Sequence, residues 1–144
     1  MFRLLAVNSS YPLGPAPLVL LVDDFQDGRE LYSEFLIFHG FRVLTASSGR
    51  EAIELAYAHH PAVILLDIRM TAMSGIEVVQ VLRAESAFGA TPIVALTAHA
   101  MPDEQRAARD AGFDDVLVKP CLPDDVLRAV ERLLSSRRSQ LAPG

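Results

Sequence analysis

Short apolar runs alternate with amphipathic segments along most of the 144-residue chain. The runs have the length of β-strands, and their unbroken apolar character is typical of strands buried on both faces of a sheet. In the amphipathic segments, apolar residues recur at near-helical spacing. The pattern repeats five times and predicts strands at Leu18–Val22, Arg42–Ala46, Ala62–Leu66, Pro92–Leu96 and Val116–Val118.

Five helices are predicted to follow these strands, at about 26–38, 48–59, 75–84 and 102–111, and from Pro123 onward. Because every connection is long enough for a crossover helix, the strands are expected to be parallel. Right-handed crossovers, with two helices on one face and three on the other, give the strand order 2-1-3-4-5. The pattern therefore predicts a doubly wound five-stranded α/β domain.

The chain length fits a single domain, for which roughly 100 to 200 residues are usual. Residues 1–17 contain prolines and glycine at a spacing that neither a helix interior nor a central strand tolerates. We predict an irregular lead-in over 1–17, the domain over 18–136 and a flexible tail over 137–144. The chain carries no internal repeat.

Composition excludes several classes of function. A single cysteine, Cys121, cannot form an internal disulfide, and zinc would need more Cys or His at ligand spacing. The net charge of −5 argues against direct nucleic-acid binding. No apolar stretch reaches the roughly 18 residues that span a bilayer, and no signal peptide is recognisable. We expect a cytoplasmic protein without membrane contact.

Polar residues close four of the five predicted strands, at the edge where the carboxyl ends of parallel strands meet. Taken singly, each has an ordinary explanation: Asp24 could cap a helix, and Lys119 could be a surface charge. Taken together, they predict a site, since converging carboxylates need a cation to compensate their repulsion. The residues are Asp23, Asp24, Asp67, Thr97 and Lys119, the last being the only lysine beside twelve arginines.

This set of side chains predicts phosphoryl transfer. An octahedral Mg²⁺, or Mn²⁺, bound by one or two carboxylates would complete the charge balance. A carboxylate beside a divalent cation, a lysine and a hydroxyl suits a reaction in which the protein positions reactants and neutralises phosphate oxygens. Asp67 would be the nucleophile that forms an acyl phosphate, and Asp23 and Asp24 would hold the metal.

Four segments, LVLLVDD, VILLDIRMTAMSG, PIVALTA and DDVLVKP, resemble the signature sequences of bacterial response-regulator receiver domains. They occur in the family's order and spacing from Leu18 to about Leu134. The resemblance implies a flavodoxin-like fold, a fold for which a member of this family is a standard example. It also implies a regulatory phosphoacceptor that catalyses only its own phosphorylation and dephosphorylation, with the donor a histidine kinase or a histidine phosphotransfer protein.

The resemblance also assigns roles to single residues. It implies that Asp67 is phosphorylated, that Lys119 is the essential cation and that Thr97 is the switch hydroxyl. The metal ligands would be Asp23, Asp24, Asp67 and the backbone carbonyl of Arg69. A cis bond is implied before Pro120, and the small side chain of Ala98 would leave the phosphate pocket open.

Two positions depart from the family pattern. Thr71 stands where the family often has proline, so the loop after Asp67 is expected to be less rigid. Val116 replaces the usual aromatic switch residue, so the readout of phosphorylation is expected to differ. In similar proteins, the positions of Arg69 and His99 influence phosphate lifetime. Both side chains are large here, so we predict restricted access for the attacking water.

The output surface is expected on the fourth helix, the fifth strand and the fifth helix, where a downstream protein would dock. The chain would act as a stand-alone receiver or as part of a hybrid histidine kinase, since VALTAHAM resembles those receivers as well. The sequence leaves both possibilities open.

Three other functions share parts of this sequence pattern. A haloacid-dehalogenase-like phosphatase needs a second aspartate where this chain has Arg69. A flavodoxin-type flavin module needs a phosphate-cradling loop after the first strand, where Asp23 and Asp24 would repel phosphate. A pseudo-receiver that binds partners without phosphorylation is kept open by Val116, although all five pocket positions carry competent residues.

Overall fold

The computed structural model describes residues 15–99 and 101–141, with side chains described up to residue 136. Five strands form one parallel sheet in the order β2-β1-β3-β4-β5, which confirms the predicted fold and strand order. The strands are β1 (Leu18–Val22), β2 (Arg42–Ala46), β3 (Val63–Asp67), β4 (Ile93–Thr97) and β5 (Asp115–Val118).

Helices cover both faces of the sheet. They are α1 (Gln26–Phe38), α2 (Gly49–His59), α3 (Gly75–Arg83), α4 (Pro102–Ala111) and α5 (Pro123–Leu141). Buried residues of α2, α3 and α4 pack on one face, and those of α1 and α5 pack on the other. A 3₁₀ turn, Ser86–Phe88, precedes β4 and was not predicted from the sequence.

The unbroken apolar runs arise because the central strands contribute side chains to two cores. Along β1, Leu20 and Val22 belong to the core beneath α2, α3 and α4, whereas Val19 and Leu21 belong to the core beneath α1 and α5. All five residues of β3 and of β4 are buried. The edge strands β2 and β5 are more exposed, as expected for strands with one neighbour.

Serine side chains cap the N-terminal ends of two helices. The hydroxyl of Ser48 accepts a hydrogen bond from the Glu51 amide, and that of Ser74 accepts one from the Glu77 amide, each at 3.2 Å. The N-cap of α1 is Phe25, and it makes no such bond. Asp24 is therefore not the helix cap that the sequence allowed as an alternative.

The predicted domain boundaries stay a prediction. Helix α5 continues to Leu141, so it is longer than expected and includes the first five residues assigned to a flexible tail. Most of the predicted lead-in and residues 142–144 lie outside the described part. In that part, no helix is long and apolar enough to cross a membrane.

Candidate functional site

The carboxyl edge of the sheet gathers the predicted site residues. Asp23 directly follows β1, Asp67 and Thr97 are the last residues of β3 and β4, and Lys119 directly follows β5. The ammonium group of Lys119 donates to Asp23 Oδ2 at 2.8 Å and lies 3.3 Å from Asp67 Oδ2. Asp23 lies 96 positions and Asp67 lies 52 positions before Lys119 in the sequence, so the fold brings distant residues to one ammonium group.

Asp23 is fully buried and held from several sides. Its Oδ1 accepts a hydrogen bond from the Phe25 amide at 2.9 Å, and its backbone carbonyl accepts one from the Arg29 guanidinium at 2.6 Å. A Cβ at Gly28 would lie only 3.1 Å from Asp23 Oδ2, so the glycine leaves space for this carboxylate. These contacts fix the carboxylate in position for Lys119.

The side chain of Asp67 is 9% exposed, so it is largely shielded from solvent. Its Oδ1 accepts a hydrogen bond from the Arg69 amide at 3.1 Å. The first residue of α3, Gly75, packs directly behind it, since an added Cβ would lie 2.4 Å from the Asp67 carbonyl oxygen. A glycine is therefore required where the helix approaches the strand end.

Three carboxylates converge at this edge. Asp23, Asp24 and Asp67 each offer an oxygen, and these oxygens all lie within 4.8 Å of one another. Asp23 and Asp67 are buried, and Asp24 is exposed. Hard oxygen donors at this spacing are the ligands that Mg²⁺ prefers, so the residues present fit a divalent cation. The carbonyl of Arg69 remains a predicted ligand.

Among the described residues, Lys119 is the one cation that contacts these carboxylate oxygens directly. Burial, followed by the charge of Asp23, raises the pKa of Asp67 to about 6, even though Lys119 and the Arg69 amide act in the opposite direction. Burial disfavours the charged form of Lys119, but its hydrogen bonds and charge interactions with Asp23 and Asp67 raise the pKa of this lysine overall. Lys119 therefore stays charged, while ionisation of Asp67 is less favourable than that of an exposed aspartate.

Thr97 lies at the end of the neighbouring strand and is buried. Its hydroxyl oxygen accepts a hydrogen bond from the His99 amide at 3.1 Å, and its carbonyl accepts one from the Lys119 amide at 2.7 Å. The next residue, Ala98, is exposed. The peptide bond between Lys119 and Pro120 is cis, as the family resemblance implies.

The remaining predicted positions lie around this centre. Val116 is half-buried in β5 and packs against the core beneath α2, α3 and α4. Arg69 and His99 line a cavity of about 180 Å³ together with Thr97 and with Glu104 of α4. Whether Arg69 and His99 control phosphate lifetime stays a prediction.

Sequence reasoning missed several residues that position the site. Arg29 and the Phe25 amide hold Asp23, and the hydroxyl of Tyr32 donates to the Cys121 carbonyl at 3.0 Å, which ties the loop after Lys119 to α1. These contacts involve backbone atoms or distant parts of the chain. The spacing of apolar residues along the chain does not indicate such contacts.

The family model for the response regulator receiver domain matches residues 19–131. The chain belongs to this family. It is a receiver domain of two-component signal transduction; receiver domains are regulatory phosphoacceptor domains, and they bind Mg²⁺ at an acidic cluster such as the one described here.

Curated relatives include two kinds of response regulator. Transcriptional regulatory protein PrrA of Mycobacterium tuberculosis is 38% identical over 124 residues, which cover 86% of this chain and 52% of PrrA. Polar-differentiation response regulator DivK of Brucella ovis is 32% identical over 102 residues, which cover 71% of this chain and 83% of DivK. The chain thus spans about half the length of PrrA.

Solved structures agree with this assignment. Chemotaxis response regulator CheY4 of Vibrio cholerae has a TM-score of 0.79 and 35% identity, covering 82% of this chain and 98% of CheY4. The receiver domain of sensor histidine kinase PA1611 from Pseudomonas aeruginosa has a TM-score of 0.77 and 28% identity, covering 83% of this chain and 98% of that domain. The latter structure is described as having a magnesium ion coordinated in its active-site cleft.

Proposed function

We propose that this receiver accepts a phosphoryl group onto Asp67 from a phosphohistidine, with Mg²⁺ held by Asp23, Asp24 and Asp67. The observation that carries the proposal is the position of Lys119, which contacts two of three clustered carboxylates. A single ammonium group leaves this cluster short of positive charge. A divalent cation would supply the missing positive charge, and an electrophilic phosphorus atom suits a site rich in carboxylates.

In the proposed reaction, a carboxylate oxygen of Asp67 attacks phosphorus. An oxygen–phosphorus bond forms while the nitrogen–phosphorus bond of the donor breaks, and the leaving imidazole takes a proton from solvent. Bound Mg²⁺ would neutralise charge on the phosphoryl oxygens. Asp23 orients Lys119 through its 2.8 Å contact, and the Lys119 ammonium stabilises the charge that develops beside Asp67.

Access for the donor is supported by a groove of about 370 Å³ next to the site. The residues that line this groove include Ala98, Lys119, Pro120, Phe25 and Leu31. Phe25 and Leu31 are 62% and 53% exposed, which suits contact with a protein. We infer that a histidine kinase or histidine phosphotransfer protein brings its phosphohistidine to Asp67 along this groove.

After transfer, the phosphoryl oxygens would attract two donors, the Lys119 ammonium and the Thr97 hydroxyl. Drawing Thr97 toward Asp67 would alter the loop between β4 and α4. We propose that this change reaches a downstream protein through α4, β5 and α5, because Thr97 and Lys119 border these elements.

The proposal is tested by incubating the chain with acetyl phosphate and Mg²⁺ and measuring the intact mass. We expect one added phosphoryl group in the wild type, none in Asp67→Asn and a wild-type result in Asp110→Asn, a matched change of an exposed aspartate on α4. Chelation of Mg²⁺ should abolish the addition. A wild-type protein that responds to neither Mg²⁺ nor phosphodonor would contradict the proposal and favour a pseudo-receiver.

A further inference from the structure

Val116 raises the question of how a change at Thr97 reaches α4 in this chain. A valine has no ring to rotate, and this one packs against the core beneath α2, α3 and α4. Its β-branched side chain is also restricted to few rotamers. Coupling between the phosphorylation site and α4 therefore needs another contact.

The His99 backbone amide supplies the first link. It donates to the Thr97 hydroxyl oxygen at 3.1 Å, so the position of the loop depends on the position of that hydroxyl. If Thr97 turns toward a phosphoryl group on Asp67, the hydroxyl leaves the His99 amide. This step rests on the proposed function of Asp67.

The His99 side chain supplies the second link. Its Nδ1 lies 3.8 Å from Oε2 of Glu104, in the first turn of α4. The contact is an ion pair when the imidazole is protonated and an ion–dipole contact when it is neutral. His99 and Glu104 also line the cavity of about 180 Å³ beside Thr97, which leaves space for the imidazole to move.

The two ends of α4 are held very differently. The N-cap, Met101, makes no side-chain capping bond and is 63% exposed, and Ala108, near the other end, is the buried residue of the helix. At the C-terminal end, the Arg83 side chain donates to the Gly112 carbonyl at 2.9 Å. Loss of the His99–Glu104 contact would therefore remove a side-chain contact from the N-terminal end of α4, while the Arg83 contact at the other end stays in place.

We propose that His99 and Glu104 form a positioning pair that couples Thr97 to the N-terminal end of α4, in place of an aromatic residue at position 116. The pair holds α4 in the unphosphorylated arrangement. Movement of Thr97 toward phosphorylated Asp67 separates the pair and frees the first turn of α4 for a partner.

Amide hydrogen exchange of the full chain, with and without Mg²⁺ and beryllofluoride, tests this pair. In the wild type, beryllofluoride should increase exchange in the peptide that covers the start of α4. In Glu104→Gln without beryllofluoride, exchange there should already be faster by roughly two- to fivefold, the range that an exposed ion pair can account for. The further increase on adding beryllofluoride should be smaller than in the wild type.

Asp103→Asn is the matched control, because it removes the same charge from the same helical turn. Its carboxylate is 93% exposed and pairs with Arg106 within the helix. This variant should respond to beryllofluoride like the wild type, and both variants should match the wild type in the rate of Asp67 phosphorylation. That rate is the readout that separates a positioning role from general damage to the fold.

Two results would overturn the inference, and they are distinguishable. If Asp67 is phosphorylated normally but Glu104→Gln exchanges like the wild type or like Asp103→Asn, the pair does not couple Thr97 to α4. If Asp67 takes no phosphoryl group at all, the proposed function fails and the inference fails with it.

Discussion

The charged side chains at the two edges of the sheet differ in how well their charges are matched by partners. At the carboxyl edge, the Lys119 ammonium contacts two carboxylates of a group of three. At the amino edge, the Arg83 guanidinium uses four of its five N–H groups: it donates to the Asp114 carboxylate at 2.9 Å and to the carbonyls of Gly112, Phe88 and Thr91. Asp114 in turn accepts the Ile93 amide at 2.8 Å.

This difference separates a structural cluster from a site that needs a ligand. Around Arg83, one positive charge meets one negative charge, and the other donors meet carbonyl oxygens. Around Lys119, the negative charge exceeds the positive charge, and the pKa of Asp67 rises to about 6 as a result of burial and of Asp23. Removing a charge should therefore impair function at one edge and stability at the other.

The largest expected effect is on reaction rate, in Lys119→Met. Loss of the ammonium should slow phosphorylation of Asp67 by acetyl phosphate about 10²- to 10³-fold, as removal of one preorganised charge-stabilising group usually does. The initial rate at fixed Mg²⁺ concentration, followed by intact mass, measures this.

Arg29→Met provides the control for Lys119. Arg29 also contacts Asp23, but through the backbone carbonyl at 2.6 Å, so it does not balance the carboxylates directly. Its loss should slow the reaction much less than loss of Lys119. Equal slowing in the two variants would mean that placement of Asp23, rather than the Lys119 charge, limits the rate.

The next effect is on stability, in Arg83→Leu. The Arg83 side chain is 19% exposed, and its removal leaves three carbonyls and the Asp114 carboxylate without this partner. The free energy of unfolding should fall by about 2 to 4 kcal/mol, somewhat below the cost of breaking a fully buried pair. Urea denaturation measures the change.

Arg106→Leu is the control for Arg83. The pair of Arg106 with Asp103 is highly exposed, and such pairs contribute roughly 0 to 1 kcal/mol. Arg83→Leu that remains folded should still be phosphorylated on Asp67. A loss of phosphorylation without a loss of stability would contradict the division between the two edges.

The contrast also explains which features could be predicted from the sequence. The strands were predictable because residues buried on both faces give unbroken apolar runs, and the carboxyl edge was predictable because Asp67 and Thr97 directly end such runs. The Arg83 cluster was not, since most of its acceptors are backbone carbonyls, which every residue carries. The contact of His99 with Glu104 depends on side-chain rotamers, and the three-residue turn Ser86–Phe88 is too short to give a periodic signal.

The smallest expected effect is a gain in stability in Asp67→Asn. The pKa of Asp67 is about 6 in the folded protein and about 4 in an unfolded chain. The folded state therefore binds this proton more tightly, and the wild type loses stability as the pH rises from about 4 to about 6. The asparagine variant escapes this loss.

At pH 7 without Mg²⁺, Asp67→Asn should exceed the wild type in free energy of unfolding by roughly 1 to 2 kcal/mol, a value reduced from the full shift because water reaches the site. Below pH 4 the two proteins should be equally stable. Mg²⁺ should narrow the gap at pH 7, because it compensates the carboxylates that only the wild type carries in full. If the difference in free energy of unfolding between the two proteins stays the same at every pH, the asparagine acts through packing. The charge imbalance at the carboxyl edge would then have no energetic cost.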